Sequence, residues 1–234
     1  GWASGANGAL VHTANGGEPE WNTQESSVRN TNGMPEPIWG IHFINSEKGL
    51  AAAEFGVILR TEDGGETWTP VEPRPVMNRI YAIQLVSENE AWAIGVYGTL
   101  LHSLDGGKSW NVVSSSNNLT AVHFPSIKQG WAVGNAGIIV KTSDGGETWQ
   151  TQASSTAFEL FGVHFANEQK GWAVGSNAAL VETMDGGKTW SGVTNPRHEG
   201  GPGGEDQRLK MDPALSWKMA LGFYDVHFST ENDG

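Results

Sequence analysis

The stretch TSDGGETW at residues 142–149 is one of four nearly identical turn sequences in this chain. The other copies are TEDGGETW at 61–68, SLDGGKSW at 103–110 and TMDGGKTW at 183–190, and a degenerate fifth, TANGGEPEW, spans 13–21. The aspartate or asparagine of each copy lies 39 to 48 residues from the next. A four-stranded propeller blade has this length, so the repeat predicts a β-propeller with five blades.

Each turn sequence is preceded by three segments that resemble strands. In the fourth repeat they read VHF at 122–124, GWAVG at 130–134 and IIVK at 138–141. Short β-branched and aromatic runs separated by glycine are typical of strands. We therefore expect an all-β fold of four-stranded antiparallel blades, with blade 2 at 38–70, blade 3 at 79–113, blade 4 at 119–151 and blade 5 at 158–193.

The two ends of the sequence complement each other. The chain begins inside a second strand, GWASG at 1–5, and it ends with a first strand, YDVHF at 224–228. Residues 221–234 and 1–21 would together complete blade 1. We predict a single domain over 1–234 that closes when the C-terminal strand pairs with the N-terminal blade, which hides exposed strand edges. A piece of a longer repeat array and an open solenoid are the alternatives.

Composition excludes several functional classes. The 234 residues include 32 glycines, 11 tryptophans and no cysteine, with a formal net charge of −12. This charge disfavours nucleic acid as a partner, because phosphates would be repelled. No apolar run reaches the roughly 18 residues of a membrane span, so no membrane insertion is expected. The lack of cysteine excludes disulfides and thiolate metal sites.

The repeats resemble the BNR/Asp-box repeat along essentially the whole chain. The combination of GWAVG with a later TSDGGETW is similar to the photosystem II stability/assembly factor family and its relatives. The resemblance implies a propeller that acts in assembly, with a protein partner and a location outside the cytoplasm. Members of that family typically have seven blades, whereas this sequence shows five.

We interpret the acidic residue of each turn sequence as structural. An aspartate or asparagine at a turn accepts hydrogen bonds from nearby backbone N–H groups. A catalytic site needs unlike groups that converge, whereas these groups are repeated around the ring. The structural set is Asn15, Asp63, Asp105, Asp144 and Asp185.

Histidine recurs at one position of the first strand. The members are His42, His123, His164 and His227, and Gln84 stands at this position in blade 3. Such a ring either binds a metal or forms hydrogen bonds within and between blades. Metal ligands must converge at bonding distance, so we expect no metal and no cofactor.

Differences between the blades indicate where binding takes place. Two long connections, 22–37 and 194–220, flank blade 1, and long loops on a rigid scaffold commonly carry binding. The second connection is interpreted either as a lid or as a solvated loop. The binding-face candidates are Trp39, Glu54, Phe55, Tyr97, Asn135, Arg197, Arg208, Trp217, Tyr224 and Asp225. Asp225 replaces a small residue of the other blades, and it either contacts a ligand or tethers the long connection.

The sequence supports three functions for this face. The first is a non-enzymatic binding or assembly module for a protein or peptide partner. The alternative is a glycoside hydrolase, which needs two carboxylates about 5–10 Å apart, with Asp225, Glu54 and Asp212 as candidates. A lectin-like module that stacks sugars on the aromatic side chains is the third, so a glycan remains a candidate ligand.

Overall fold

The computed structural model describes residues 1–15, 20–26, 28–114 and 118–193. These residues form five antiparallel sheets that follow one another along the chain, named blades 1 to 5 here. Blades 2 to 5 have four strands each, and blade 1 shows three. The fold is thus the all-β, five-bladed propeller architecture that the repeat predicts.

The strands of blades 1 to 3 are β1 (Trp2–Ser4), β2 (Leu10–His12), β3 (Asn22–Gln24), β4 (Ile38–Phe43), β5 (Gly49–Ala53), β6 (Ile58–Thr61), β7 (Thr69–Pro70), β8 (Ile80–Leu85), β9 (Ala91–Gly95), β10 (Thr99–Ser103) and β11 (Asn111–Ser114). Those of blades 4 and 5 are β12 (Leu119–His123), β13 (Gly130–Gly134), β14 (Ile139–Thr142), β15 (Gln150–Gln152), β16 (Leu160–Phe165), β17 (Gly171–Gly175), β18 (Leu180–Thr183) and β19 (Ser191–Gly192). Within each blade the strands pair in chain order. A 3₁₀ turn joins the second and third strands of each repeat, at Ala6–Gly8, Glu54–Gly56, Val96–Gly98, Asn135–Gly137 and Ser176–Ala178.

The second strand of a four-stranded blade is apolar on both sides. Every residue of β5, β9 and β13 is buried. A strand that is covered on both faces shows a continuous apolar run rather than an alternating one. Segments such as GWAVG at 130–134 are therefore explained by blades that pack against a neighbour on each side.

The hydrophobic core lies between the blades. Four buried clusters occupy the interfaces of blades 1 with 2, 2 with 3, 3 with 4, and 4 with 5. The two largest fully buried side chains are Trp92 and Trp131, both from second strands. Stability thus depends on contacts between successive repeats, as in other repeat proteins.

The structure tests one part of the predicted organisation, the connection at 22–37. Strand β3 pairs with β2 and takes up 22–24, the first three residues of the segment expected to be a long connection. The predicted closing strand and the long connection at 194–220 lie outside the described residues, so closure of the ring stays a prediction. Within the described ranges, no helix is both long enough and apolar enough to span a membrane.

Candidate functional site

Two opposite ends of the blades are defined by backbone hydrogen bonds. At one end, the turn sequence in each of blades 2 to 5 is hydrogen-bonded to the turn between the first two strands, as in Gly145 N–H to Lys128 O at 2.9 Å. At the other end, the 3₁₀ turn is bonded to the segment that enters the first strand, as in Asn135 N–H to Asn118 O at 3.0 Å. We call the first end the box face and the second the loop face.

On the box face, the aspartates are engaged within their own turns. Asp144 accepts a hydrogen bond from the Thr142 hydroxyl at 2.7 Å and two from Thr148, through its N–H at 3.0 Å and its hydroxyl at 2.6 Å. The Thr148 bonds and that from Thr142 lower the pKa of Asp144 to about 2. Asp63, Asp105 and Asp185 make the same set of bonds and also have a pKa of about 2. Asn15 accepts the corresponding bond from Thr13 at 2.7 Å.

The histidine row forms hydrogen bonds between blades. The Nδ1 atoms of His42 and His123 accept the backbone N–H of the next blade's first strand, from Leu85 at 3.3 Å and Phe165 at 3.2 Å. Gln84 replaces this with two bonds to Phe124, accepting its N–H at 2.8 Å and donating to its carbonyl at 3.1 Å. Among the described residues, no group of three or more His, Asp or Glu side chains is arranged to hold a metal ion.

On the loop face, the 3₁₀ turns project two aromatic side chains into solvent. Phe55 and Tyr97 occupy the middle position of their turns with φ of 56° and 58°. The middle residue of all five 3₁₀ turns is left-handed, so this backbone belongs to the repeat, and only blades 2 and 3 place a bulky ring on it. Phe55 is 44% exposed and Tyr97 is 82% exposed. Neither ring is therefore held in this position by burial in the core.

A bulge near the start of the first strand adds a second row of side chains. In each of blades 2 to 5, the strand pairing shifts register at its second residue. Bulges re-aim a side chain and are common beside functional sites. The bulge residues are Trp39, Tyr81, Thr120 and Phe161. The row is aromatic except in blade 4, where threonine takes the place of a ring.

An arginine fixes the aromatic residues of blades 2 and 3. The Arg79 guanidinium lies 4.8 Å from the Trp39 ring centroid and 5.7 Å from that of Tyr81, and the two rings meet edge to face at 6.0 Å. Its Nη2 is 2.6 Å from a carboxylate oxygen of Glu54. Burial acts to lower the pKa of Arg79, but a hydrogen bond with Tyr81 and the charge of Glu54 outweigh this effect and raise it. Arg79 is thus a fixed cation that joins two blades.

Two grooves open on this face. One, of about 190 Å³, lies across blades 3 to 5 and is lined by Tyr81, Val96, Tyr97, Asn118, Leu119, Thr120, Asn135 and Glu159. The other, of about 510 Å³, is lined by Arg29, Asn30, Thr31, Phe55, Arg74 and Met77. Each groove contains one of the two aromatic residues of the 3₁₀ turns.

The predicted site residues fall into three groups. Trp39 and Glu54 meet through Arg79, and Tyr97 and Asn135 line the smaller groove. Phe55 lines the larger groove. The remaining candidates, namely Arg197, Arg208, Asp212, Trp217, Tyr224 and Asp225, lie outside the described residues. The predicted site therefore stays a prediction, now with two grooves on which it can be tested.

Sequence reasoning missed several residues of this face, among them Arg79, Thr120 and Glu159. Aligning the first strands would have revealed Thr120, because it breaks a series that is otherwise aromatic. Arg79 and Glu159 both precede a first strand, in connections whose conformation the repeat does not specify. Their contacts could be found only from the folded chain.

The chain was compared with known families and structures. The family described as photosynthesis system II assembly factor YCF48 matches residues 20–122 and 152–201, more than half of the chain. The chain belongs to this family. No curated protein matches the chain by sequence.

Solved structures share the fold at low identity. YCF48 from Cyanidioschyzon merolae is 18% identical with a TM-score of 0.63, over 84% of this chain and 66% of that one. A GH74 xyloglucanase from Xanthomonas campestris is 14% identical with a TM-score of 0.61, over 81% of this chain and 34% of that one. YCF48 bound to D1 peptide is 19% identical with a TM-score of 0.48, over 82% of this chain and 77% of that one. Since one fold serves unrelated functions, the first two likenesses show the propeller fold alone.

Proposed function

We propose that this member of the YCF48 family is a non-enzymatic binding module that holds a segment of a partner protein against its loop face during assembly. The proposal rests on one observation, the exposure of apolar side chains on that face. The exposed large hydrophobic residues there are Met34, Trp39, Phe55, Met77, Tyr97 and Phe158. Clusters of exposed apolar side chains with polar neighbours mark interaction sites.

The composition of the loop face fits a protein or peptide partner. Aromatic residues, methionine and arginine are enriched at protein interfaces, and Arg29, Arg74 and Arg79 stand among the exposed rings. Trp39 and Tyr81 are already held by Arg79. Side chains that are fixed before binding lose less conformational entropy when a partner binds. We also propose that the protein acts outside the cytoplasm, as its family resemblance implies.

The glycosidase alternative is not favoured. Glu54, one of its three candidate carboxylates, is ion-paired with Arg79 and its side chain is only 12% exposed. The other two candidates, Asp212 and Asp225, lie outside the described residues. The likeness to GH74 enzymes adds a shared fold and no catalytic residue.

A phage-displayed library of random dodecapeptides tests the proposed function. Peptides selected on the wild-type chain should lose at least tenfold in affinity with Tyr97→Ala or Phe55→Ala, because rings at the centre of an interface commonly carry about 2 kcal/mol or more. Leu104→Ala is the matched control, since Leu104 is 65% exposed but lies beside Asp105 on the box face. Enrichment of no peptide, or equal losses in the loop-face and control variants, would refute the proposal.

A further inference from the structure

The smaller groove lies at the bulge of blade 4, where the row of bulge residues has threonine in place of an aromatic side chain. Trp39 and Tyr81 occupy the bulges of blades 2 and 3 and contact each other edge to face. At the bulge of blade 4, Thr120 is short, and its single O–H lies between two carbonyl acceptors, with Oγ1 2.5 Å from Leu160 O and 3.1 Å from Val133 O. This side chain is bonded to the backbone of blades 4 and 5 and leaves the space above it open.

The side chains around this space combine aromatic surface with one carboxylate. Tyr81 and Tyr97 supply the rings, and Asn118 and Asn135 supply amides. Glu159 is half-buried, and it makes no ion pair with any residue of the described ranges. Arg79, the cation of blade 3 on this face, is ion-paired with Glu54. The groove therefore has a negative charge beside the exposed ring of Tyr97 and the half-buried ring of Tyr81.

We propose that this groove takes a basic side chain of the partner, an arginine or a lysine, as an anchor. The aliphatic part of such a side chain packs on apolar surface while its charged end stays near polar groups. Here that surface is the half-buried side chain of Val96, and the charged end meets Glu159. The face of Tyr97 attracts the same cation. The net charge of −12 favours approach of a basic segment.

This inference rests on the proposed function and names the chemistry of one contact within it. The probe is a blocked pentapeptide with a single arginine between two pairs of glycines, and its match is the same peptide with neutral citrulline. Binding is followed by chemical shifts of the ¹⁵N-labelled chain. We expect the arginine peptide to bind in the millimolar range, to shift the amides of Tyr97 and Asn135, and to bind at least fivefold more tightly than the citrulline peptide.

Two variants locate the contact. Glu159→Gln should lower the affinity for the arginine peptide about fivefold and leave the affinity for the citrulline peptide unchanged, because a partly exposed charge pair contributes up to about 1 kcal/mol. Thr120→Tyr restores the aromatic residue of the neighbouring blades, fills the groove and should reduce binding of both peptides at least tenfold. Glu147→Gln, which removes an exposed carboxylate from the box face, is the control and should change neither affinity.

The outcomes separate this inference from the proposed function. Equal binding of the two peptides, or equal effects of Glu159→Gln and Glu147→Gln, would overturn the basic anchor. The loop face would still be the binding face if the phage-selected peptides depend on Tyr97. If Thr120→Tyr does not fold, the affinities of the two peptides for Glu159→Gln and Glu147→Gln are sufficient to test the basic anchor, since this cycle measures the charge pairing directly.

Discussion

Replacing Gly146 with alanine tests how tightly successive blades are joined. Gly146 has φ of +90°, and a Cβ at this residue would overlap the ring of Trp92 from the preceding blade. Trp92 is fully buried, stacked on His102 at 4.0 Å and on Phe124 at 5.5 Å. The ring therefore has no free space into which it can move.

Two costs add in this variant. Alanine in left-handed backbone costs about 1–2 kcal/mol, and an extra methyl group in a packed core costs about 1–3 kcal/mol. Because Trp92 is held on both faces, we expect a total of about 4 kcal/mol, near the upper end of these ranges. A domain of this size loses about 2–4 °C in Tm for each kcal/mol, so Tm should fall by roughly 8–16 °C.

Two other glycines separate the costs. Gly33 has φ of +77° and no atom within 4 Å of the place that an alanine methyl group would take, so Gly33→Ala reports the backbone cost alone. Gly145 has φ of +75° and only Ile127 O nearby, at 3.1 Å. Urea unfolding followed by far-ultraviolet circular dichroism gives the free energy of unfolding for each variant. If Gly146→Ala lowers the free energy of unfolding no more than Gly33→Ala and Gly145→Ala do, the close contact with Trp92 does not restrict the residue at position 146.

Two further predictions concern the hydrogen bonds of the blades. Gln84→Leu should lower the free energy of unfolding by about 2–4 kcal/mol, because it leaves the N–H and C=O of Phe124 unsatisfied. Gln84→His keeps an acceptor for the N–H and should lower the free energy of unfolding by less. Equal urea midpoints for the two variants would contradict this prediction. Asp144 has a pKa of about 2 against an ordinary 3.8, so its ionised form stabilises the fold above about pH 4, and this contribution is lost as the pH falls from about 4 to 2. The Tm measured from about pH 5.5 to 2.5 should therefore decline more in the wild type than in Asp144→Asn, and identical pH profiles would show that the carboxylate does not matter.

The architecture could be predicted from the sequence because every repeat contains the same turn and strand motifs. The turn sequences and the GWAVG segments specify strands whose order and pairing are found in each blade. The sequence also shows that a small residue follows each bulge, but it does not show why a small residue is required there. A Cβ on Gly40 would lie 2.9 Å from Tyr81 O and 3.1 Å from the Cα of Ala82, so adjacent first strands approach too closely for a larger side chain.

The candidate site was less predictable because it consists of departures from the repeat. Tyr97 and Phe55 differ from their counterparts in the other turns, which the sequence shows, and both proved to be exposed. The pairing of Arg79 with Glu54 joins residues 25 positions apart in different blades. Such a contact follows from the relative placement of two blades, which local patterns do not specify.

The contacts between blades also have a direction. The side chains of His42, Gln84 and His123 each accept a backbone N–H of the following blade. Every residue except proline supplies this N–H at the receiving position. At this contact, a duplicated repeat would need no matching side chain in the blade that follows it. The order of the repeats is consequently restricted less by these hydrogen bonds than by packed contacts such as that of Trp92 with Gly146.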